Sequence, residues 1–117
     1  MIALAALLSL VAWMPQAFAS SNPGTHQLDW RVPGEVLVYR SCGCADGCWS
    51  AEVRVRRTQV VKARLRCDCE SLSFAKAPTL SNETLIGSCN PINGAEEKFN
   101  KITRELELRM GVVLPSP

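Results

Sequence analysis

The sequence predicts a small α+β domain, in which an antiparallel meander of three or four strands carries one C-terminal amphipathic helix. Three observations predict this class. Between residues 35 and 69, one segment is rich in β-branched and aromatic residues, and two further segments alternate apolar and polar residues, as strands with one buried face do. Near the C-terminus, apolar residues recur at helical spacing. The chain also holds six cysteines, an even number that can form three disulfides.

Residues 1–19 have the pattern of a cleaved secretory signal peptide. An apolar run of thirteen residues from Ile2 to Met14 ends at Pro15, and small residues follow at Ala17 and Ala19. This run is shorter than the roughly 20 residues that a membrane span needs, so we expect no stable membrane insertion after signal cleavage. Cleavage of those 19 of the 117 residues leaves 98. We therefore expect a periplasmic or secreted protein in an oxidising compartment.

The exported chain is expected to hold an irregular arm and one domain. Residues 20–34 contain two Pro-Gly pairs, which favour turns, and we interpret them as an irregular N-terminal arm that Trp30 anchors by packing. Residues 35–117 form the predicted domain. Its strands are expected at 35–41, 51–57 and 59–69, with turns at 43–48 and 57–59. The segment 70–88 stays ambiguous, with candidate strands at 71–74 and 79–86.

The predicted helix begins at Asn93, which can cap it together with Glu96 in a capping box. It ends at Gly111, a residue typical of helix C-termini. We expect its apolar stripe to pack on the sheet: Ala95, Phe99, Ile102, Leu106 and Met110.

The cysteines are expected to form structural disulfides. Six cysteines permit 15 connectivities, and the sequence does not select among them. We expect Cys89 to join the helix start to Cys67 or Cys69, and Cys48 to close the first turn. Alternation would place Cys67 and Cys69 on the core face of the sheet, together with Cys42 and Cys44 if the first strand persists that far. The six cysteines expected in disulfides are Cys42, Cys44, Cys48, Cys67, Cys69 and Cys89.

Basic residues are concentrated on the second and third predicted strands, at 51–57 and 59–69. Residues 40–69 hold seven basic residues against three acidic ones. Alternation predicts that five basic side chains share one sheet face, with Glu52 as the exception, and that Arg40 makes a sixth if Val36 and Val38 point inward. The six are Arg40, Arg54, Arg56, Lys62, Arg64 and Arg66. One interpretation is a solvated outer face, and the other is a docking surface for an anionic partner.

An acidic protein surface is the partner that fits this face best, because arginine pairs well with carboxylates and charge complementarity steers association. Nucleic acid is not expected, since the strands lack interleaved aromatic residues for base stacking. Trp49 lies in the first turn, where it would serve either as a binding anchor or as cover for a disulfide.

No enzyme activity and no cofactor are expected. His26 is the single histidine and lies in the predicted arm, which offers no rigid scaffold for a catalytic group. The sequence therefore predicts an exported, non-enzymatic binding protein, most concretely an inhibitor or immunity-type protein that blocks an acidic envelope or extracellular protein such as a cell-wall hydrolase. Two alternatives remain: an envelope component that binds anionic polymer, and a metal-handling protein that uses clustered thiols.

Overall fold

The computed structural model describes residues 24–112, so the predicted signal peptide at 1–19 lies outside the described residues. The described chain forms one antiparallel sheet, two helices and three disulfides. Its elements in chain order are β1 Thr25–Leu28, β2 Glu35–Gly43, β3 Cys48–Val55, β4 Val61–Asp68, β5 Ser71–Lys76, β6 Thr84–Ser88, α1 Asn90–Asn93 and α2 Lys98–Met110.

The sheet is a meander of six strands in the order β1-β2-β3-β4-β5-β6, each pairing with its neighbours along the chain. The antiparallel meander is confirmed, but the expected number of three or four strands was wrong. The additional strands lie where alternation is weak: β1 falls within the arm that we expected to be irregular, and β5 and β6 fall within the ambiguous segment 70–88. Trp30 does anchor the arm, since it packs against the core and donates from Nε1 to Glu35 Oε1 at 3.1 Å.

One face of the sheet forms the core with both helices. The strands contribute fully buried side chains at odd-numbered positions, such as Leu37, Val53 and Leu65. Because neighbouring strands pair these residues directly, they form continuous apolar rows. Ile102 and Leu106 of α2 are completely buried against these rows.

The condition placed on Arg40 in the sequence interpretation was wrong. Val36, Val38 and Arg40 occupy alternate positions of β2 and therefore share one face, whereas Leu37 and Tyr39 point into the core. Arg40 thus lies on the polar face without any requirement that the two valines point inward.

The main helix begins later than predicted. Helix α2 starts at Lys98, its N-cap position is Glu97, and no side chain caps it. Asn93 instead ends the short helix α1, and its side-chain oxygen accepts a hydrogen bond from Trp49 Nε1 at 2.8 Å. The predicted C-terminus is confirmed, because Gly111 caps α2 with a φ of 69°, in the left-handed region that glycine adopts readily.

The disulfides are Cys42–Cys48, Cys44–Cys69 and Cys67–Cys89. Closure of the first turn by Cys48 and attachment of Cys89 to Cys67 are confirmed. The expected core position is confirmed for Cys67 and was wrong for Cys69, which is half-buried, and for Cys42 and Cys44, which are exposed. The alternation on which it rested stops at Gly43, where the register shifts, and at Cys69, which follows β4 with a φ of 88°.

Candidate functional site

The polar face of the sheet carries most of the predicted basic residues. Antiparallel pairing places Arg40 opposite Ser50, and Ser50 opposite Arg66, in one row across three strands. The next row contains Glu52 opposite Arg64. Arg54 lies two residues from Glu52 on β3 and points to the same side. We call this set the basic sheet face: Arg40, Glu52, Arg54, Arg64 and Arg66.

Glu52 organises the centre of this face. Arg54 donates to its Oε1 from Nε at 3.2 Å and from a terminal nitrogen at 2.5 Å, and Arg64 donates from Nε to Oε2 at 2.9 Å. Burial alone would raise the pKa of Glu52, but the hydrogen bonds and charges of the two arginines outweigh it and lower that pKa. The carboxylate therefore stays ionised and holds two guanidinium groups in fixed positions.

Arg66 is held at the margin of the face by Glu83. Its Nε and a terminal nitrogen donate to the two carboxylate oxygens at 2.9 and 2.6 Å, a bidentate arrangement. The hydrogen bond from Arg66 lowers the pKa of Glu83, and the same bond raises the pKa of Arg66. Sequence reasoning missed this carboxylate because Glu83 lies 17 positions from Arg66, in the segment 70–88 whose structure stayed ambiguous.

Two of the predicted docking residues do not join the basic sheet face. Lys62 lies at a register irregularity: Val53 pairs with Ala63 and Arg54 with Val61, so that Lys62 has no residue opposite it on β3. Its ammonium group forms an ion pair with Glu35. Arg56 lies beyond the end of β3 in the turn that leads to β4. It is exposed and has no carboxylate partner among residues 24–112.

Arg40 is the arginine of the basic sheet face that no carboxylate of the described chain engages. It is exposed and borders a hollow of about 150 Å³. Ser50, Glu52 and Arg54 form part of the lining. Arg40 and Arg54 thus border the same hollow, together with the carboxylate that already binds Arg54.

Trp49 cannot serve as an exposed anchor, because it is completely buried. It lies directly opposite Cys67, whose disulfide to Cys89 is also buried. The alternative that Trp49 covers a disulfide therefore agrees with its position. A side-chain hydrogen bond fixes the orientation of the indole, since Trp49 Nε1 donates to Asn93 Oδ1 at the end of α1.

A second hollow, of about 610 Å³, opens where the first disulfide loop approaches the start of α2. Lys98 reaches across it and donates to the Tyr39 hydroxyl at 3.1 Å and to the Asp46 carbonyl at 2.6 Å. Burial lowers the pKa of Lys98, while Asp46 opposes that change. Burial also raises the pKa of Tyr39, and Asp46 adds to it. Lys98 therefore joins the start of α2 both to β2 and to the first disulfide loop.

Aromatic rings form one wall of this second hollow. His26 lies 5.0 Å from the ring of Phe99, edge to face, and 5.2 Å from the ring of Tyr39. Phe99 was expected in the buried stripe of the helix, but 42% of its surface is exposed. Sequence reasoning missed this cluster because helical periodicity does not distinguish the core from a neighbouring groove.

Comparison with known proteins gives no match: no protein-family model, no curated protein and no solved structure resembles the chain significantly. Within the described part of the chain, neither helix is long and apolar enough to cross a membrane. All six cysteines lie among the described residues and all are paired, so the thiol-based metal-handling alternative loses its ligands.

Proposed function

We propose that the protein is an exported, non-enzymatic binding protein that docks an acidic surface of another protein on its basic sheet face. The observation that carries this proposal is the arrangement of four arginines around one central carboxylate, on the side of the sheet opposite both described helices. An inhibitor or immunity-type role is the most concrete form of the proposal.

The ion pairs within the face favour binding by keeping the arginines ordered. Arg64 uses only its Nε on Glu52, which leaves the two terminal nitrogens of its guanidinium group for a partner's carboxylate. A side chain that is already fixed loses less conformational entropy when it binds. The positive excess also remains, because Arg40 has no carboxylate partner in the described chain, and such an excess accelerates association with an acidic surface.

The test compares two charge-reversed proteins of equal net charge. Arg40→Glu with Arg56→Glu reverses the unpaired arginine of the basic sheet face and the exposed arginine of the turn that directly follows β3. Neither makes an ion pair in the described chain, so the Glu52 network stays intact. The matched control, Lys101→Glu with Arg104→Glu, reverses two exposed cations of α2 on the other side of the molecule. Partners are captured from native envelope and culture extract, identified, and measured with purified components.

We expect one stoichiometric protein complex, with an association rate that falls about tenfold in the sheet variant and much less in the control. The rate should also fall as salt is added, because mobile ions screen exposed charges. Equal rates for both variants would show that the basic sheet face is only solvated surface. Retention of lipopolysaccharide or anionic cell-wall polymer, with no protein, would replace the proposal with the polymer-binding alternative.

A further inference from the structure

We propose that the groove between β1 and α2 binds an extended peptide segment of a partner protein, which adds a strand to the edge of the sheet. This interaction surface is independent of the proposed docking on the basic sheet face, because it lies on the helix side of β1 and uses backbone groups. Three features of the described residues support it: the orientation of the edge amides, the shape of the groove, and an exposed aromatic ring within it.

The outward backbone groups of β1 follow from its register. The Ser41 N–H donates to the Gly24 carbonyl at 3.0 Å, and Gly24 lies opposite Ser41 when the β1–β2 register is extended by one residue. Hydrogen-bonded pairs alternate in an antiparallel ladder, so His26 and Leu28 also exchange bonds with β2. Thr25 and Gln27 must therefore direct their N–H and C=O groups away from β2, toward the edge that no strand of residues 24–112 covers.

A continuous groove runs beside this edge. A hollow of about 310 Å³ is lined by residues 26–29 on one side and by Phe99, Asn100 and Thr103 of α2 on the other. It shares His26 and Phe99 with the hollow of about 610 Å³ at the start of α2. At its other end it shares Asp29, Asn100 and Thr103 with a further hollow of about 430 Å³. Such an elongated shape suits an extended chain better than a compact ligand.

Phe99 supplies an apolar contact in the middle of the groove. Its exposed ring packs edge to face against His26, whose side chain lies on the helix side of β1. In an added antiparallel strand, the residue opposite His26 would point to the same side. An apolar side chain at that position therefore packs on Phe99, while the peptide backbone pairs with Thr25 and Gln27.

The chemistry of the edge selects a polypeptide as the occupant. Thr25 and Gln27 each offer one donor and one acceptor, about 7 Å apart along the strand, which matches the repeat of another strand. A second copy of this chain fits less well, because β1 has only four residues and a stable dimer buries about 1,200 Å² or more. A short peptide that enters the groove contacts α2 as well as the edge.

Gln27→Pro tests the backbone contact directly. Proline removes the N–H of Gln27, which points outward, and leaves the β1–β2 hydrogen bonds in place. Gln27→Ala is the matched control, because it removes the side chain and keeps the amide. Phe99→Ser tests the apolar contact; because the Phe99 ring also packs edge to face against the buried ring of Tyr39, urea unfolding of this variant checks that the fold is retained.

The probe is a phage-displayed library of random peptides of about a dozen residues, selected on the oxidised protein. We expect selected peptides to carry an apolar residue between β-favouring neighbours. Their affinity should be unchanged within about twofold for Gln27→Ala and at least about tenfold weaker for Gln27→Pro and Phe99→Ser. The Thr25 and Gln27 amides should exchange more slowly with solvent when the peptide is bound.

A modified peptide keeps the test valid if proline disturbs β1. N-methylation of the two peptide amides that face β1 should weaken binding to the unmodified protein by at least about tenfold. The proposal is overturned if no peptide is selected, if N-methylation has no effect, or if the wild type dimerises through this edge while Gln27→Pro stays monomeric. Arg40→Glu with Arg56→Glu should bind the peptide normally, which separates this result from the fate of the basic sheet face.

Discussion

The side chains of Trp49 and Asn93 illustrate how single residues stabilise this small fold. The indole of Trp49 is completely buried, and its N–H has an acceptor in the Asn93 side chain. A buried donor that loses its acceptor costs about 1–3 kcal/mol. The sequence predicted that the Asn93 side chain caps a helix. Its oxygen instead accepts the hydrogen bond from the Trp49 indole, 44 positions away in the sequence.

Asn93→Ala should therefore lower the free energy of unfolding by about 1–3 kcal/mol. The matched control is Asn90→Ala in the same short helix, where the side chain is exposed and the change should be within about 0.5 kcal/mol. Urea unfolding monitored by tryptophan fluorescence measures both. A similar, small effect of the two substitutions would show that the Trp49 hydrogen bond contributes little.

Glu52 links stability to pH through its two arginines. Its pKa in the folded protein lies below the ordinary value of 4.5, so the carboxylate stabilises the fold above that pH. This stabilisation should be lost as pH falls from about 4.5 through the lowered pKa. Glu52→Gln should be less stable than the wild type at pH 7 and should lose less of its remaining stability on acidification.

The measurement is the free energy of unfolding in urea at neutral and acidic pH, for Glu52→Gln and for a control, Glu70→Gln. Glu70 is exposed and forms no ion pair among residues 24–112. If the wild type and Glu52→Gln lose the same free energy on acidification, Glu52 is not responsible for the acid sensitivity.

Among the elements, α2 shows which part of helical periodicity is informative. Ile102 and Leu106 are completely buried, as the apolar stripe predicts, and Arg109 pairs with Glu105 one turn earlier at 2.7 Å. Phe99 continues the same stripe yet lines a groove. Periodicity defines a side of the helix, but the extent of the sheet beneath that side decides which residues are buried.

Leu106→Ala and Leu108→Ala form a matched pair within this helix. Leu106 is fully buried, and its truncation should cost about 2–5 kcal/mol of unfolding free energy. Leu108 is 73% exposed, and its truncation should change stability by about 0.5 kcal/mol or less. Thermal and urea unfolding measure both. Comparable losses would mean that α2 packs on the sheet with a different face.

The sequence predicted the three central strands because their patterns are local: β2 is rich in β-branched and aromatic residues, and β3 and β4 alternate. β1 was missed because it has four residues and lies between Pro-Gly pairs, so its pairing depends on contacts with β2 that no local pattern shows. The same limit applies to the candidate site. Alternation predicted which arginines face outward, but Glu83, which neutralises Arg66, lies on a distant segment and was not predicted.

On the scale of the whole molecule, the disulfides connect segments that the sheet alone holds weakly. A domain of this size buries a limited fraction of its surface, so cross-links add substantially to its stability. Cys67–Cys89 joins β4 to the start of α1 across 22 positions, whereas Cys42–Cys48 closes a turn across 6. The larger loop restricts the unfolded chain more, which by loop entropy corresponds to about 3 kcal/mol against about 2 kcal/mol.

Replacement of Cys67 and Cys89 by alanine should therefore destabilise the protein more than replacement of Cys42 and Cys48. Burial increases the difference, because Cys67 and Cys89 are completely buried and the loss of their sulfurs leaves a cavity in the core. Urea unfolding of the two double variants gives the order, and peptide mapping of the unreduced proteins checks that the remaining pairs are native. The opposite order, with the Cys42 and Cys48 variant less stable, would show that the loop closed by Cys42–Cys48 holds α2 in place more strongly than Cys67–Cys89 does. Its contact with α2 is the hydrogen bond from Lys98 to the Asp46 carbonyl.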